Sequence, residues 1–324
     1  MKPGADPAAL AAAVRRGERA AIGRCISSIE RRDAAAQAFM RQLLPLPGRA
    51  YRIGMTGPPG AGKSTLTMQL VRALRTTASR VAVLAVDPSS PFSGGALLGD
   101  RVRMNDVAGD EQVFIRSLAT RGELGGLSAA VADAADLLDA AGFDQVLIET
   151  VGVGQSECDI VRQCDTTLVV LTPESGDEVQ VAKAGLMEIA DVFVINKEDR
   201  PGADRLRAAL RAMLDQAQSR HSGSGWDTPI VRTMAGSGAG VGELLQAVQA
   251  HRTHQEQRGG QRARRRERLH GRVLQLASEL LEQRLWTAAR LDSLQRAVEG
   301  DDAEQAALVI AQRLVDDFLS PTRP

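Results

Sequence analysis

Residues 51 to 68 read "YRIGMTGPPGAGKSTLTM", and no other stretch restricts the fold so tightly. An apolar run breaks into a glycine-rich turn, and an apolar helical pattern follows at once. Gly57, Gly62, Lys63 and Ser64 stand at the spacing G-x-x-x-x-G-K-S, with Pro58, Pro59, Gly60 and Ala61 between them and Thr65 after. The chemistry explains the spacing. Glycines let successive backbone N–H groups turn inward around an anion, and the helix N-terminus adds its positive dipole. Lys63 can reach the β- and γ-phosphates, while the Ser64 hydroxyl can bind Mg²⁺. A strand, such a loop and a helix in that order begin a βαβ unit, so the chain is expected to bind a nucleoside triphosphate on a parallel sheet.

The rest of the chain agrees with a sheet of that kind. From Tyr51 to about 256, short apolar runs alternate with helical patterns, and the runs "YRIGMT", "VAVLAV", "VFIR", "QVLIE", "TLVVL", "DVFVIN" and "PIVRT" read as strands. Aromatic residues make up only 3% of the chain against 44% hydrophobic residues, so the core must be aliphatic and alanine-based. Residues 5 to 44 read as helical, with "PLPG" at 45 to 48 as a break. After "HRTHQEQRGG", taken as a polar linker holding His251 and His254, only helical patterns remain, ending near Leu319. The first of them carries an apolar stripe at Leu269, Val273, Leu274, Leu276, Leu280, Leu281 and Leu285 that needs a surface to cover it. The expected organisation is a helical extension at 1–47, a nucleotide-binding domain at 48–256 and a helical arm at 257–324.

The base is read from "VFVINKEDR". Asn196, Lys197 and Asp199 stand in the arrangement N-K-x-D at a strand end. A carboxylate at Asp199 can accept from guanine N1–H and the exocyclic amine, whereas adenine N1 carries no proton and would leave the acid unpaired. The Lys197 stem can lie over the base, and Asn196 can tie neighbouring loops together. Met234, Ala235 and Gly236 follow the last strand, where many GTPases offer backbone N–H groups to the guanine carbonyl from a Ser-Ala pair. Met234 stands in place of the serine, a change that a backbone contact survives.

Three acids are candidates for metal and water. Asp87 ends the second apolar run, Asp100 lies in a glycine-rich loop thirteen residues on, and Glu149 ends "QVLIE". "ETVG" has the form of the D-x-x-G switch with Glu for Asp, so Glu149 can hold Mg²⁺ through water while the Gly152 N–H senses the γ-phosphate. Efficient GTPases often place Gln directly after that glycine; here Val153 stands there and Gln155 follows two residues later. Slow intrinsic turnover, accelerated by dimerisation or by a partner, is the expectation.

Taken together, "GPPGAGKST", "DPSSPFSGGALLGDRVRM", "FIRSLATRGELGG", "ETVGVGQSE", "GDEVQVAKAG" and "NKED" resemble the MeaB/ArgK-type GTPases. That resemblance implies a SIMIBI-class P-loop α/β fold, a mostly parallel sheet flanked by helices, with an N-terminal helical extension and a C-terminal dimerisation arm. It implies a homodimer that loads adenosylcobalamin into a cobalamin-dependent acyl-CoA mutase, protects that enzyme and removes damaged cofactor. By matching position it gives GTP or GDP to the P-loop and Asp199, and gives Mg²⁺ and the attacking water to Asp87, Asp100 and Glu149. "ESGDEVQVAKAG", with Lys183, resembles a third switch that senses the mutase. "FIRSLATRGELGG" and Met234 depart from the usual pattern and point to a divergent branch.

Composition weakens the competing classes. Forty basic residues balance forty acidic ones, so there is no global field for nucleic acid, and the arginines of "RGGQRARRRERLHGR" read as a solvated face. A nickel-type metallochaperone would want a His-rich run or a cysteine cluster, and the chain has four histidines and three scattered cysteines. An amino-acid transport kinase, an older label in this family, would rest on the P-loop alone. No stretch approaches the roughly 18 apolar residues of a membrane span, and the cytoplasm is the expected location.

Overall fold

The computed structural model describes residues 6–43, 49–77, 79–87, 109–119, 124–150, 152, 163–174, 186–220, 225–299 and 307–319. Three helices come first: α1 (Pro7–Arg15), α2 (Arg19–Arg31) and α3 (Ala34–Leu43). Asp6 caps α1 by accepting from the Ala8 N–H at 3.0 Å, and Pro7 takes the first position, where a missing N–H leaves no bond unmade.

All the apolar runs are strands: β1 (Tyr51–Thr56), β2 (Val81–Asp87), β3 (Val113–Ala119), β4 (Gln145–Thr150), β5 (Thr166–Leu171), β6 (Val192–Asn196) and β7 (Ile230–Thr233). They form one sheet in the order β3-β2-β4-β1-β5-β6-β7, and every pairing is parallel. The helices between are α4 (Lys63–Arg75), α5 (Leu124–Ala140), α6 (Leu186–Ile189), α7 (Ala203–Arg220) and α8 (Val241–Gln257).

Alternation along each strand sends side chains to both faces, and both faces are covered. Ala82, Leu84 and Val86 of β2 share a core with α1 to α3 and α5, while Val81, Val83 and Ala85 share the other with α4 and α8. Val169, Leu171, Phe193 and Ile195 pack with α7. The N-terminal helices are thus part of the main core, with Val14, Ile22, Ile26 and Phe39 fully buried. Arg19 of α2 also reaches the edge strand, donating to the Val113 carbonyl at 2.6 Å.

A buried polar cluster lies at the amino ends of β1, β5 and β6. The Tyr51 hydroxyl meets Thr166 Oγ1 at 2.5 Å, Thr166 meets His251 Nδ1 at 2.7 Å, and His251 Nε2 lies 3.2 Å from Asp191 Oδ1. Arg264 closes the cluster with a bidentate pair to Asp191 at 2.6 and 2.9 Å. Burial alone would push the Asp191 carboxyl up, but hydrogen bonds and charge from Arg264 and His251 outweigh it and hold it below the usual carboxylate range. Here the structure corrects the sequence reading of 251–260. Residues 251 to 257 end α8, and His251 is fully buried, because its neighbours Val248 and Leu244 continue the apolar face by one more helical turn.

Three further helices follow: α9 (Gly260–Leu285), α10 (Ala288–Glu299) and α11 (Ala307–Leu319). The chain divides into two compact units between Arg264 and Arg265. Within the second unit Arg290 lies over the Phe318 ring at 5.1 Å, and Ile310 and Leu314 are buried. Among the described residues the stripe on α9 is left exposed: Leu269 is 64% exposed, Val273 55% and Leu281 56%. Among the described residues no helix is long and apolar enough to cross a membrane.

Candidate nucleotide-binding site

Every loop singled out for nucleotide chemistry leaves the carboxyl edge of the sheet, where an open α/β sheet binds its ligand. β1, at the centre, runs into residues 57–62, and α4 starts at Lys63. Two glycines there admit no side chain. A Cβ on Gly57 would lie 2.0 Å from the Val170 carbonyl oxygen, and one on Gly62, at φ 87°, would lie 2.4 Å from Asn196 Nδ2. The loop can therefore press against β5 and β6 only because those side chains are missing. Lys63 is buried, its ammonium donating to the carbonyls of Gly57 at 2.6 Å and Pro58 at 2.9 Å. The loop's own carbonyls thus hold a positive charge in its mouth, where an anionic phosphate would meet it.

Glu149 stands on β4, in register with Met55 of β1 and Ala85 of β2. Its carboxylate is buried and gripped from α4 on both oxygens: Ser64 Oγ donates to Oε1 at 2.5 Å and Thr67 Oγ1 to Oε2 at 2.9 Å. Thr67 is three residues beyond Ser64, so both hydroxyls lie on one helix face. That periodicity could have revealed Thr67, which the sequence reading passed over. A buried carboxylate beside a hydroxyl at the mouth of a phosphate loop is a hard-oxygen set, and it fits Mg²⁺. Asp87 ends β2 at the same edge, one strand from Glu149. The Gly152 carbonyl accepts from Thr56 Oγ1 at 2.7 Å and Thr150 Oγ1 at 3.2 Å, which holds Gly152 beside the end of β1. Asp100, Val153, Gln155 and Lys183 lie outside the described residues.

The base-side residues meet through Asn196 at the end of β6. Its Nδ2 donates to the Ala61 carbonyl at 2.8 Å, and its Oδ1 accepts from Thr233 Oγ1 at 3.1 Å and the Ala235 N–H at 3.0 Å. One side chain therefore joins the phosphate loop to the loop after β7. Lys197 adopts φ 59°, a left-handed conformation that costs a lysine about 1–3 kcal/mol and turns the chain sharply off the strand. Its ammonium is 3.6 Å from Glu174, which also pairs with Arg200 at 2.5 Å. Asp199 is exposed. The loop after β7 is a closed turn: the Met234 N–H donates to the Ala239 carbonyl at 3.0 Å, and the Met234 carbonyl accepts from Ser237 and Gly238. Gln69 of α4 reaches across to it, donating to the Ala235 carbonyl at 3.0 Å. Gln69 carries no sequence signal, because it acts across a distance in the chain that no local pattern spans, whereas Glu174 opens "ESGDEVQVAKAG" but nothing local marks its pairing with Lys197.

Comparison with known proteins agrees with this geometry. A family model described as methylmalonyl-CoA mutase-associated GTPase MeaB matches residues 22–290. A Pyrococcus abyssi protein named as a GTPase is 46% identical over 268 residues, 83% of this chain and 83% of that protein. GTPase ArgK of Escherichia coli is 40% identical over 253 residues, covering 75% of this chain and 76% of its own. The mouse mitochondrial methylmalonic aciduria type A homolog is 35% identical over 273 residues, 79% of this chain and 65% of that protein. Among solved structures, that of an LAO/AO transport system kinase superposes with a TM-score of 0.70 at 27% identity, over 98% of this chain and 99% of that one.

Proposed function

The chain belongs to the MeaB family of methylmalonyl-CoA mutase-associated GTPases, and on that premise we propose that it is a GTP-gated chaperone of a cobalamin-dependent acyl-CoA mutase. It is a P-loop GTPase that binds GTP and GDP. The finer reading concerns what the nucleotide controls: loading of adenosylcobalamin, protection of the mutase and removal of damaged cofactor. The names of the family and of the mouse relative support a methylmalonyl-CoA mutase or a related enzyme as the client.

The observation that carries this reading is the joint hold of Ser64 and Thr67 on Glu149. It links the first residue of "ETVG" to the helix that opens at the phosphate loop, so one carboxylate can report nucleotide state to that segment. In this reading Ser64, Asp87, Asp100 and Glu149 would hold Mg²⁺, which would supply positive charge to the bound phosphates. Lys63 steadies the same charge, the Gly152 N–H senses the γ-phosphate and Gln155 orients the water. With Val153 in the usual place of the glutamine, hydrolysis is slow until a partner completes the site. Asn196, Lys197 and Asp199 read guanine, and a second copy covers the α9 stripe. A nickel-delivery role is disfavoured by His251, whose ring nitrogens meet Thr166, Asp191 and Gln255 inside the core.

Immobilised protein loaded with a non-hydrolysable GTP analogue is expected to retain a cobalamin-dependent acyl-CoA mutase, and its GDP form to release it. GTP hydrolysis with no mutase bound in either state would overturn the chaperone role and leave the GTPase standing.

A further inference from the structure

Ala235 and Gly236 share one peptide group, and the structure constrains both that group and the peptide before it. The N–H of Ala235 is engaged by Asn196 Oδ1 at 3.0 Å, which makes it a poor donor for a base. The carbonyl of Ala235 is engaged by Gln69 Nε2 at 3.0 Å. A trans peptide is planar, with its C=O and the following N–H pointing in opposite directions. Fixing the Ala235 oxygen toward α4 therefore aims the Gly236 N–H away from it. Gly236 is exposed, and a Cβ built on it meets nothing within 4 Å, so this residue is not packed against the rest of the fold.

The four bonding groups close a ring. Ala61 of the phosphate loop accepts from Asn196, Asn196 accepts from Ala235, Ala235 accepts from Gln69, and Gln69 lies on the helix that the phosphate loop opens. Gly238 lies beside Gln69 as well: a Cβ added there would stand 3.5 Å from Gln69 Oε1. The loop after β7 is thus set relative to the phosphates by a rigid helix as well as by its own turn.

We propose that Gln69 is a specificity-determining positioning residue. It orients the 235–236 peptide so that the Gly236 N–H, rather than that of Ala235, donates to the carbonyl at position 6 of guanine. The proposal rests on the guanine reading of Asn196, Lys197 and Asp199. It separates from that reading because Asp199 meets the N1 and 2-amino edge while Gly236 meets the carbonyl. Hypoxanthine keeps the carbonyl and lacks the 2-amine; adenine offers an amine where guanine has the carbonyl.

Dissociation constants for GDP, IDP and ADP distinguish the roles, measured on the full chain and on Gln69→Glu and Gln69→Met. Glu keeps the shape and removes the donor; Met keeps the volume without charge. Loss of one hydrogen bond's orientation is expected to weaken GDP and IDP together by about fivefold, with ADP unchanged. KM for GTP should rise in step while kcat at saturating GTP stays put, a split that general loosening of the fold would not give. Equal weakening of all three nucleotides would reduce Gln69 to a structural brace, and unchanged GDP binding in both variants would overturn the proposal. Wild-type protein that binds IDP as tightly as GDP would instead refute the Asp199 reading, whatever the Gln69 variants do.

Discussion

Helices α4 and α9 are both amphipathic, and they end in opposite circumstances. On α4, Leu66, Leu70 and Val71 are fully buried against β1 and β2. On α9, Leu274 is 57% exposed and no residue is buried. Helical spacing in the sequence identifies an apolar face in each case, but says nothing of what covers it. For α4 the cover is the sheet of its own unit. For α9 the second unit supplies none among the described residues, and each large side chain left in water forgoes about 1.5–3 kcal/mol.

The sharpest way to break this contrast is to charge the stripe. Val273→Glu combined with Leu280→Glu is expected to convert the proposed dimer to monomer, at a cost of several kcal/mol in association. Sedimentation velocity reads the mass, and an unchanged mass would mean that the stripe is not the interface. Nucleotide affinity should stay within about twofold, since the site is built from the first unit.

A smaller effect is expected from the other side of the comparison. Lys63→Ala removes the buried ammonium at the mouth of the phosphate loop and should weaken GTP binding and turnover by about a hundredfold. Fluorescent-nucleotide titration measures the first and phosphate release the second, while the oligomeric state stays that of the wild type. A variant that both binds and hydrolyses GTP normally would detach the loop from its assigned chemistry.

The mildest test is of pH and concerns how the first unit is closed at its amino edge. Asp191 has its pKa lowered in the fold, so its stabilising contribution is present above the unfolded carboxylate value near about 4 and is lost as pH falls through the lower folded value. Urea unfolding should therefore find Asp191→Asn less stable than wild type at pH 7, with the gap closing progressively below about pH 4. A gap independent of pH would show that packing, and not ionisation, gives Asp191 its place.

The strands and the phosphate loop were legible because their signals are local: a short apolar run bounded by turn residues, and a glycine spacing with one physical use. Local polarity is misleading at 251–257. "HRTHQEQ" looks like a linker by polarity, yet it ends a helix whose buried histidine is satisfied by Thr166 and Asp191, far away in sequence. Glu149 was legible as an acid at a strand tip, whereas its partner Thr67 was hidden as one more helical residue. Gln69 was invisible, since nothing in "LTMQL" marks a side chain that will bond to residue 235.

The chain's own order of residues determined the element types, the strand–loop–helix that must hold phosphate and the carboxylates offered at strand ends. These follow from backbone sterics and periodicity within a few residues. Only the tertiary structure decided that α1 to α3 enter the main core, that Asn196 joins two loops, and that α4 grips both Glu149 and Ala235. Such pairings depend on which strands lie side by side and how far each helix rotates on the sheet. Those outcomes arise when many weak contacts are satisfied together, and no single stretch of sequence contains them.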